Sequence, residues 1–201
     1  FDIEADGLEP AKALIAACGK KPVLADNNGV TESIHAQLLA RGVAPQTADR
    51  VLAFAVKYAR KETERGTYQA MEALVHNLNT MHSRAGAQIP FSSLNYGTDT
   101  SPEGRLVVKS LLLATEAGLG NGETSIFPIH IFKVKEGVNY NPGDPNYDLF
   151  KLAMRVSAKR LFPNFSFIDA PFNVKYYKPG HPETEAAYMG CRTRVVGNVY
   201  D

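Results

Sequence analysis

Between residues 88 and 168 the chain alternates segments typical of strands with segments typical of helices, and this order constrains the fold more than any other feature. Branched and aromatic residues predict strands at residues 88–94, 126–134 and 164–168, separated by helical patterns at residues 102–118 and 146–160. Parallel strands need a crossover connection, which a helix supplies. The alternation therefore predicts an α/β domain with a largely parallel sheet. Periodicity leaves open whether that sheet is open or closed into a barrel.

Local signals place the ends of both helices. Thr100 and Glu103 have the spacing of a capping box, Pro102 suits a first helical turn, and Gly118 suits a helix end. The second helix is predicted to be capped by Asp144 and the proline after it, and it ends in two basic residues that complement its dipole.

The residues before the sheet are predicted to be mostly helical. Residues 46–82 have the apolar period of a helix, and Gly66 predicts a break into two helices, because so long an unbroken helix is unusual. Shorter helical runs at residues 10–18 and 32–41 belong to a segment, residues 1–45, that has no readable motif.

Composition and charge argue against several classes of function. Lys and Arg total 22 and Asp and Glu total 21, so no basic excess points to a nucleic-acid partner. No stretch approaches the roughly 20 apolar residues of a membrane span, and the acidic N-terminus is unlike a signal peptide, which favours the cytoplasm. Cys18 and Cys191 are then expected to be free thiols. Two cysteines and scattered histidines predict no metal site.

Glycines at positions 118, 120 and 122 resemble a phosphate-binding loop. A dinucleotide-binding loop, however, follows a strand and opens a helix, whereas these glycines end a helix and precede a strand. A helix C-terminus presents carbonyl oxygens, which repel phosphate. We therefore interpret the run as a structural helix end.

One helix and the loop after it have residue types that suit anion binding. Glu72 and His76 are hydrogen-bonding residues on a predicted helix, and Ser83 and Arg84 begin a small, flexible loop that reaches Gln88. This composition suits a loop that closes on an anion. A solvated helix face followed by an ordinary loop is the alternative that composition leaves open.

A cysteine near the end of the chain has neighbours that suit reactivity. Cys191 lies between Gly190 and Arg192, followed by Thr193. Arg192 and the nearby Arg194 would favour a thiolate, and glycine permits close backbone approach. Inert packing of a free cysteine is the alternative, and a Cys–His pair of the hydrolase type would need a histidine brought near by the fold.

Five segments in colinear order resemble the catalytic subunit of anaerobic (class III) ribonucleotide reductases, which act on ribonucleoside triphosphates. They are residues 76–100, 118–124, 139–150, 161–173 and 188–194, the last reading Tyr-Met-Gly-Cys-Arg-Thr-Arg. The resemblance runs from about Tyr58 to the end of the chain. Several long motifs that agree in order make it highly specific.

The resemblance implies the first half of an α/β barrel of the glycyl-radical-enzyme type, with a finger loop through its centre. Residues 1–57 would be a mostly helical segment without an assigned role, and residues 58–201 would be the half-barrel that ends at the finger loop. Cys191 matches the cysteine at the tip of that loop, which becomes a thiyl radical and takes the 3′ hydrogen of the ribose. The residues beside the substrate would be Gly190, Arg192 and Thr193.

The resemblance also implies cofactors and partners. The cofactor is a glycyl radical on a segment outside these residues, with formate as the reductant. The effectors are deoxynucleoside triphosphates or ATP, and their candidate contacts are Glu72, His76, Ser83, Arg84 and Gln88. The partners are a second copy of the chain and a radical-SAM iron–sulfur activating protein, with no nucleic acid and no membrane. The family's cysteine-rich zinc site does not fall within these residues.

We expect the chain to be a fragment of the full enzyme and inactive alone, because the family's second half-barrel and radical glycine fall outside these residues. A truncated relative that only binds nucleotides or dimerises is the alternative, which binding of deoxynucleoside triphosphates to the chain would favour. Glycyl-radical enzymes of the formate-lyase type share the barrel but not the sequence of residues 83–88 or 139–150.

Overall fold

The structure, a computed structural model, describes residue 24 and residues 29–81, 88–190 and 193–197. Its elements, in chain order, are helices α1 (Val30–Ala40) and α2 (Pro45–Thr80), strand β1 (Ser93–Tyr96), helix α3 (Pro102–Ala117), strand β2 (Ile129–Val134), helix α4 (Tyr147–Arg160), strand β3 (Asn164–Phe167), the short helix α5 (Pro171–Val174), a 3-10 turn (Pro182–Thr184), and strands β4 (Ala187–Met189) and β5 (Thr193–Val195). Among the helices of these residues, none has the length and apolar character needed to cross a bilayer.

The chain divides into two compact units, residues 1–66 and residues 67–201. The assignment of residues 58–201 to a half-barrel, made from the resemblance, stays a prediction. In the first unit the helical run predicted at residues 32–41 is confirmed as α1, whereas the run at residues 10–18 lies outside the described residues.

The predicted helix break at Gly66 is wrong, because α2 continues through this position. A glycine inside a helix costs only about 1 kcal/mol relative to alanine. The residues on both sides of Gly66 include good helix formers, which sustain the hydrogen-bond ladder across it.

The predicted parallel α/β arrangement is confirmed. β1 pairs with β2 and β2 pairs with β3, all parallel, with α3 and α4 as the connections between successive strands. β1 begins at Ser93 instead of Gln88, since Pro90 lies between them and has no N–H to donate to a ladder.

The start of β2 is also later than predicted. β2 begins at Ile129 instead of Ile126, directly after Pro128. The N–H groups of Ile126 and Phe127 donate to Oδ1 of Asn79, at 2.8 and 3.1 Å, instead of joining the sheet. The Asn79 amide group in turn donates to the carbonyl of Phe127, which fixes the end of α2 to the entry of β2.

The core lies between the sheet and the two connecting helices. Its buried members are Val108, Leu112, Phe132, Val134, Leu149, Ala153 and Val156. Phe132 is fully buried and has ring contacts with Phe150 and Phe165 at centroid distances of 6.1 Å. Because α3 and α4 also pack on each other, both helices cover the same face of the sheet.

Two predicted helix caps differ by one or two residues. The cap of α3 is Ser101 instead of Thr100, with the Ser101 hydroxyl accepting from the N–H of Gly104 at 3.0 Å. The residue before α4 is Asn146 instead of Asp144, and the Asp144 carboxylate accepts from a turn N–H instead. At α3 neighbouring residues have similar capping groups, so the backbone path decides which one is used, whereas at α4 the Asn146 side chain makes no cap hydrogen bond.

A buried asparagine joins the carboxyl ends of β1 and β2. The Asn139 amide group donates to the carbonyls of Gly97 and Lys133, at 3.0 and 2.9 Å, and its oxygen accepts from the N–H of Lys135 at 2.9 Å. Gly97 has φ +121°, and a Cβ there would lie 2.9 Å from the Lys133 carbonyl. The two strand ends therefore approach as closely as a glycine allows.

Replacing Asn139 should destabilise the second unit. Asn139→Ala leaves buried backbone groups without their partners, and we expect a loss of about 2–3 kcal/mol in the free energy of unfolding. The matched control is Asn121→Ala, because the Asn121 side chain is exposed and its change should cost less than about 0.5 kcal/mol. Urea denaturation of both variants measures the difference, and equal stabilities would contradict the role given to Asn139.

His130 on β2 is fully buried with two polar neighbours. Its Nδ1 lies 3.0 Å from the hydroxyl of Tyr96 and its Nε2 lies 3.4 Å from the hydroxyl of Thr115. The Thr115 hydroxyl donates to the Leu111 carbonyl, so it is free to accept from Nε2–H while Nδ1 accepts from Tyr96. Burial lowers the pKa of His130 to about 4, which keeps the ring neutral.

This buried ring makes stability depend on acid pH. The pKa of His130 is lower in the folded chain, about 4, than the ordinary 6.5, so the unfolded chain binds more protons between these values. We expect stability to fall as pH drops from about 6.5 to about 4, by up to about 1.4 kcal/mol per pH unit. Urea midpoints measured across this range should lose that slope in His130→Gln. An unchanged slope would contradict the assignment.

Candidate active site

The segment that contains the predicted reactive cysteine is bracketed by a short antiparallel hairpin. β4 pairs with β5, with Met189 opposite Thr193. Residues 190–192 join the two strands, and of these Cys191 and Arg192 lie outside the described residues. The sequence analysis missed β4, because Ala-Tyr-Met is too short to show an alternation.

Strand β1 contacts the hairpin through its side chains. The Asn95 amide group donates to the carbonyl of Tyr188 at 2.7 Å, and its oxygen accepts from the N–H of Tyr188 at 2.8 Å. The hydroxyl of Ser93 accepts from the N–H of Gly190 at 3.1 Å. The hairpin is thus hydrogen-bonded to the central sheet up to the last residue before Cys191.

An ion-pair cluster fixes the chain where it enters the hairpin. Glu185 accepts from Lys133 and Lys135, each at 2.9 Å, and its side chain is only 13% exposed. Burial would raise the pKa of Glu185, but hydrogen bonds from both lysines outweigh it and hold the pKa below its ordinary value. The carboxylate therefore stays charged at neutral pH and binds the hairpin to β2.

β5 is attached to the short helix α5 by an arginine. The Arg194 guanidinium lies over the rings of Phe172 and Tyr176, with 5.9 and 5.6 Å to the ring centroids. It also donates to the carbonyl of Phe172 at 2.5 Å. Arg194 therefore has a structural contact in addition to the electrostatic role expected for it.

Gly190 combines two features that exclude a side chain. Its φ is +64°, and a Cβ at this position would lie 3.1 Å from the ring of Phe91. Phe91 in turn has an edge contact with Phe127 at 5.2 Å, and its own side chain is 69% exposed. The close approach that the sequence predicted for Gly190 is therefore to an aromatic ring.

Gly190→Ala should destabilise the hairpin, both through the positive φ and through contact with Phe91. Gly180→Ala is the matched control, because Gly180 has φ +84° with nothing within 4 Å. We expect either change to lower the stability by about 1 kcal/mol because of the positive φ alone, and we expect a further loss of stability only at Gly190. Amide hydrogen exchange of β4 and β5 measures it. The extra loss should vanish when Phe91→Ala is added, and a loss that persists would contradict the contact.

The face of the sheet that carries the hairpin is more polar than the face that carries the helices. The side chains on the helix face include Tyr96, His130, Phe132, Val134 and Phe165. The side chains on the opposite, hairpin face include Ser93, Asn95, Lys133 and Ser166. Sequence reasoning missed Ser93, Asn95 and Glu185 as parts of this site. Nothing in their local sequence indicates what lies against the polar face of the sheet.

The candidate effector residues are only partly described. Glu72 and His76 are half-buried and lie one turn apart on α2, so they share a face. Glu72 interacts with Tyr68, whose pKa is raised by burial and by the charge and hydrogen bond of Glu72. Gln88 is exposed, and Ser83 and Arg84 lie outside the described residues. Their grouping into one site stays a prediction.

The glycine run after α3 is confirmed as a structural helix end. Arg160 donates to the carbonyls of Glu116 and Ala117 at the end of α3, at 2.9 and 2.8 Å, and to that of Gly122 at 2.7 Å. A Cβ on Gly118 would lie 2.5 Å from the carbonyl of Glu123. The carbonyls at this helix end are therefore hydrogen-bonded to a cation of the protein itself.

No group of three or more His, Cys, Asp or Glu side chains within the described residues is arranged to hold a metal ion. The paired groups that are present, such as His181 with Glu183 at 2.9 Å, lie on the surface.

Comparison with protein families identifies the class to which this α/β domain and its hairpin belong. Residues 33–199 match the model of the anaerobic ribonucleoside-triphosphate reductases. The chain therefore belongs to the anaerobic ribonucleoside-triphosphate reductase family, which confirms the resemblance found in its motifs.

Individual relatives agree with this assignment. The chain is 39% identical over 137 residues to the anaerobic ribonucleoside-triphosphate reductase of Salmonella typhimurium, covering 68% of this chain and 18% of that protein. It is 37% identical over 137 residues to the Escherichia coli protein, with the same coverage, and 37% identical over 143 residues to that of phage T4, covering 71% of this chain and 23% of the relative. The chain thus spans less than a quarter of the length of these relatives.

Proposed function

We propose that this chain is part of the catalytic subunit of an enzyme that reduces ribonucleoside triphosphates to deoxyribonucleotides under anaerobic conditions, with Cys191 as the radical-carrying residue. The observation that carries the proposal is the match to this family together with a hairpin whose three-residue connection contains Cys191. As a fragment, the chain would work only with the remainder of the catalytic subunit.

The proposed chemistry needs a thiol held in a fixed position and shielded from solvent. A glycyl radical on another segment would supply the oxidising equivalent by taking the hydrogen atom of the Cys191 thiol. The sulfur of Cys191 would then take the hydrogen atom from C3′ of the ribose, after which the 2′ hydroxyl leaves as water and formate supplies the electrons. An S–H bond suits both exchanges, because it is weak enough to be broken and strong enough to be re-formed. Gly190, Arg192 and Thr193 would border the ribose.

The surroundings described for the hairpin support this role. Ser93 and Asn95 hold β4 against one face of the sheet, so the backbone is hydrogen-bonded to the sheet up to Gly190, the residue before Cys191. A rigid element positions a reacting atom better than a loop does.

The winding of the sheet supports the proposed half-barrel. Strand order follows chain order, and both connecting helices lie on one face. Closed α/β barrels keep all their helices outside, so a half-barrel requires this one-sided arrangement, which one half of a doubly wound sheet also shows. The polar face, which carries no helix, would then become the inside of the barrel, and the hairpin would be its finger loop.

We assign effector binding, as part of the same proposal, to the region that begins with Glu72 and His76 and continues to Gln88. Its support is the shared face of the two helical residues and their half-buried positions on α2. Deoxynucleoside triphosphates or ATP would bind there, with Ser83 and Arg84 in the closing loop and a second subunit alongside.

Substitution of the cysteine tests the proposed function. In the complete enzyme, activated anaerobically by its iron–sulfur partner, Cys191→Ser should abolish deoxyribonucleotide formation, because a hydroxyl O–H bond is too strong to enter the exchange. The glycyl radical signal in electron paramagnetic resonance should persist. Cys18→Ser is the matched control and should retain turnover. Product formation by the Cys191→Ser variant would rule the proposal out.

A further inference from the structure

One side chain of β1 makes two hydrogen bonds to the hairpin. Asn95 uses both halves of its amide, one as donor and one as acceptor, on the N–H and C=O of one residue, Tyr188. Tyr188 lies 93 positions later in the chain, so these bonds are tertiary contacts and not part of a local turn. Asn95 therefore binds β4 much as a peptide group of a neighbouring strand would.

We propose that Asn95 is a positioning residue for catalysis, which sets where the sulfur of Cys191 lies relative to the substrate by fixing β4 at Tyr188. This inference rests on the proposed function. It adds a residue from a different strand, far from the cysteine in sequence, to the groups on which the reaction depends.

The geometry explains why Tyr188 is an effective place to hold the hairpin. Tyr188 comes three positions before Cys191, and its partner across the ladder is Arg194. Arg194 is itself held by Phe172, so the two strands are anchored at the same level on different sides. Both strands are therefore held at the level of the Tyr188–Arg194 pair.

The second contact from β1 removes part of the remaining freedom. Ser93 lies on the same face of β1 as Asn95, two residues earlier, and accepts from the N–H of Gly190 at 3.1 Å. The Glu185 ion pairs fix the chain at the other end of β4. Among these contacts only Asn95 satisfies both backbone groups of one hairpin residue, so its loss leaves a donor and an acceptor without partners at once.

A hydrogen-atom transfer demands such positioning. The reacting atoms must approach to roughly 3–3.5 Å, and a displacement of about 1 Å can cost about 100-fold in rate. A displaced sulfur would slow the chemical step directly, whereas of the nucleotide only the ribose would lie beside the hairpin. The expected signature is therefore a fall in kcat that is larger than any change in KM.

The test uses the full-length enzyme with its glycyl radical installed. Asn95→Ala removes both hydrogen bonds, and Asn95→Asp keeps the shape but places a carboxylate oxygen against the Tyr188 carbonyl. We expect both to lower kcat about 10- to 100-fold, with a smaller change in the KM for the nucleotide and with the radical content per subunit unchanged. The Tyr188 amide should also exchange its hydrogen at least about tenfold faster in both variants.

Asn146→Ala is the matched control for general destabilisation. Asn146 is also a buried asparagine whose amide group donates to two backbone carbonyls, those of Gly97 and Asp99, at 3.1 and 2.7 Å. It lies in the turn before α4, and its loss should lower stability while leaving kcat and the exchange of Tyr188 near their original values. A kcat loss in Asn146→Ala equal to that in Asn95→Ala would overturn the positioning role.

The outcomes separate this inference from the proposed function. If Cys191→Ser is inactive but Asn95→Ala keeps kcat within about threefold of the original, the function stands and the role of Asn95 is refuted. If Cys191→Ser turns over nucleotides, the proposed function itself fails. If Asn95→Ala reduces the radical content, the result for Asn95→Asp decides. Normal hydrogen exchange of the Tyr188 amide in Asn95→Asp refutes the proposal. Fast exchange together with a low kcat in Asn95→Asp supports it.

Discussion

The structure of the second unit depends on a parallel sheet with two unlike faces. One face packs Phe132 and its neighbours against α3 and α4, where burial of apolar area stabilises the fold. The other face presents Asn95, Lys133 and other polar groups, which would be costly to bury without partners. The hairpin supplies those partners through its backbone and Glu185. The polar face and the hairpin therefore stabilise each other, up to Gly190 beside Cys191.

Asparagine side chains join distant parts of the backbone throughout this unit. Asn79 fixes the end of α2 to the entry of β2, Asn139 joins the ends of β1 and β2, and Asn95 holds the hairpin. An amide suits these places because it can donate and accept at once, and it carries no charge whose burial would have to be offset. These asparagines fall within residues 76–100 and 139–150, two of the segments that resemble the family. Much of the similarity by which the family is recognised therefore records architecture as well as chemistry.

The contacts around the hairpin also connect the fold to the proposed reaction. A thiyl radical needs a sulfur that is held in place and shielded from solvent, and a loop can acquire both properties only from the elements packed around it. Gly190 lies against the ring of Phe91, and the strands on both sides are bonded to the sheet and to α5. Conversely, the glycine run after α3, which resembles a nucleotide loop in sequence, is occupied by Arg160 and serves the fold.

The sequence by itself determined the features that depend on near neighbours. Helix and strand alternation predicted the parallel sheet, the glycines after α3 marked a helix end, and the motif around Cys191 indicated the family, because each signal is contained in a short stretch of chain. The sequence did not predict contacts between residues that are far apart in the chain. Asn95 and Tyr188 are 93 positions apart, and Lys133 and Glu185 are 52 positions apart. The choice of Ser101 over Thr100 as a cap, and the burial of His130 beside Tyr96, were likewise decided only by the tertiary structure. The residue type determines which hydrogen bonds a side chain can make, but its partner depends on which strands the fold brings together.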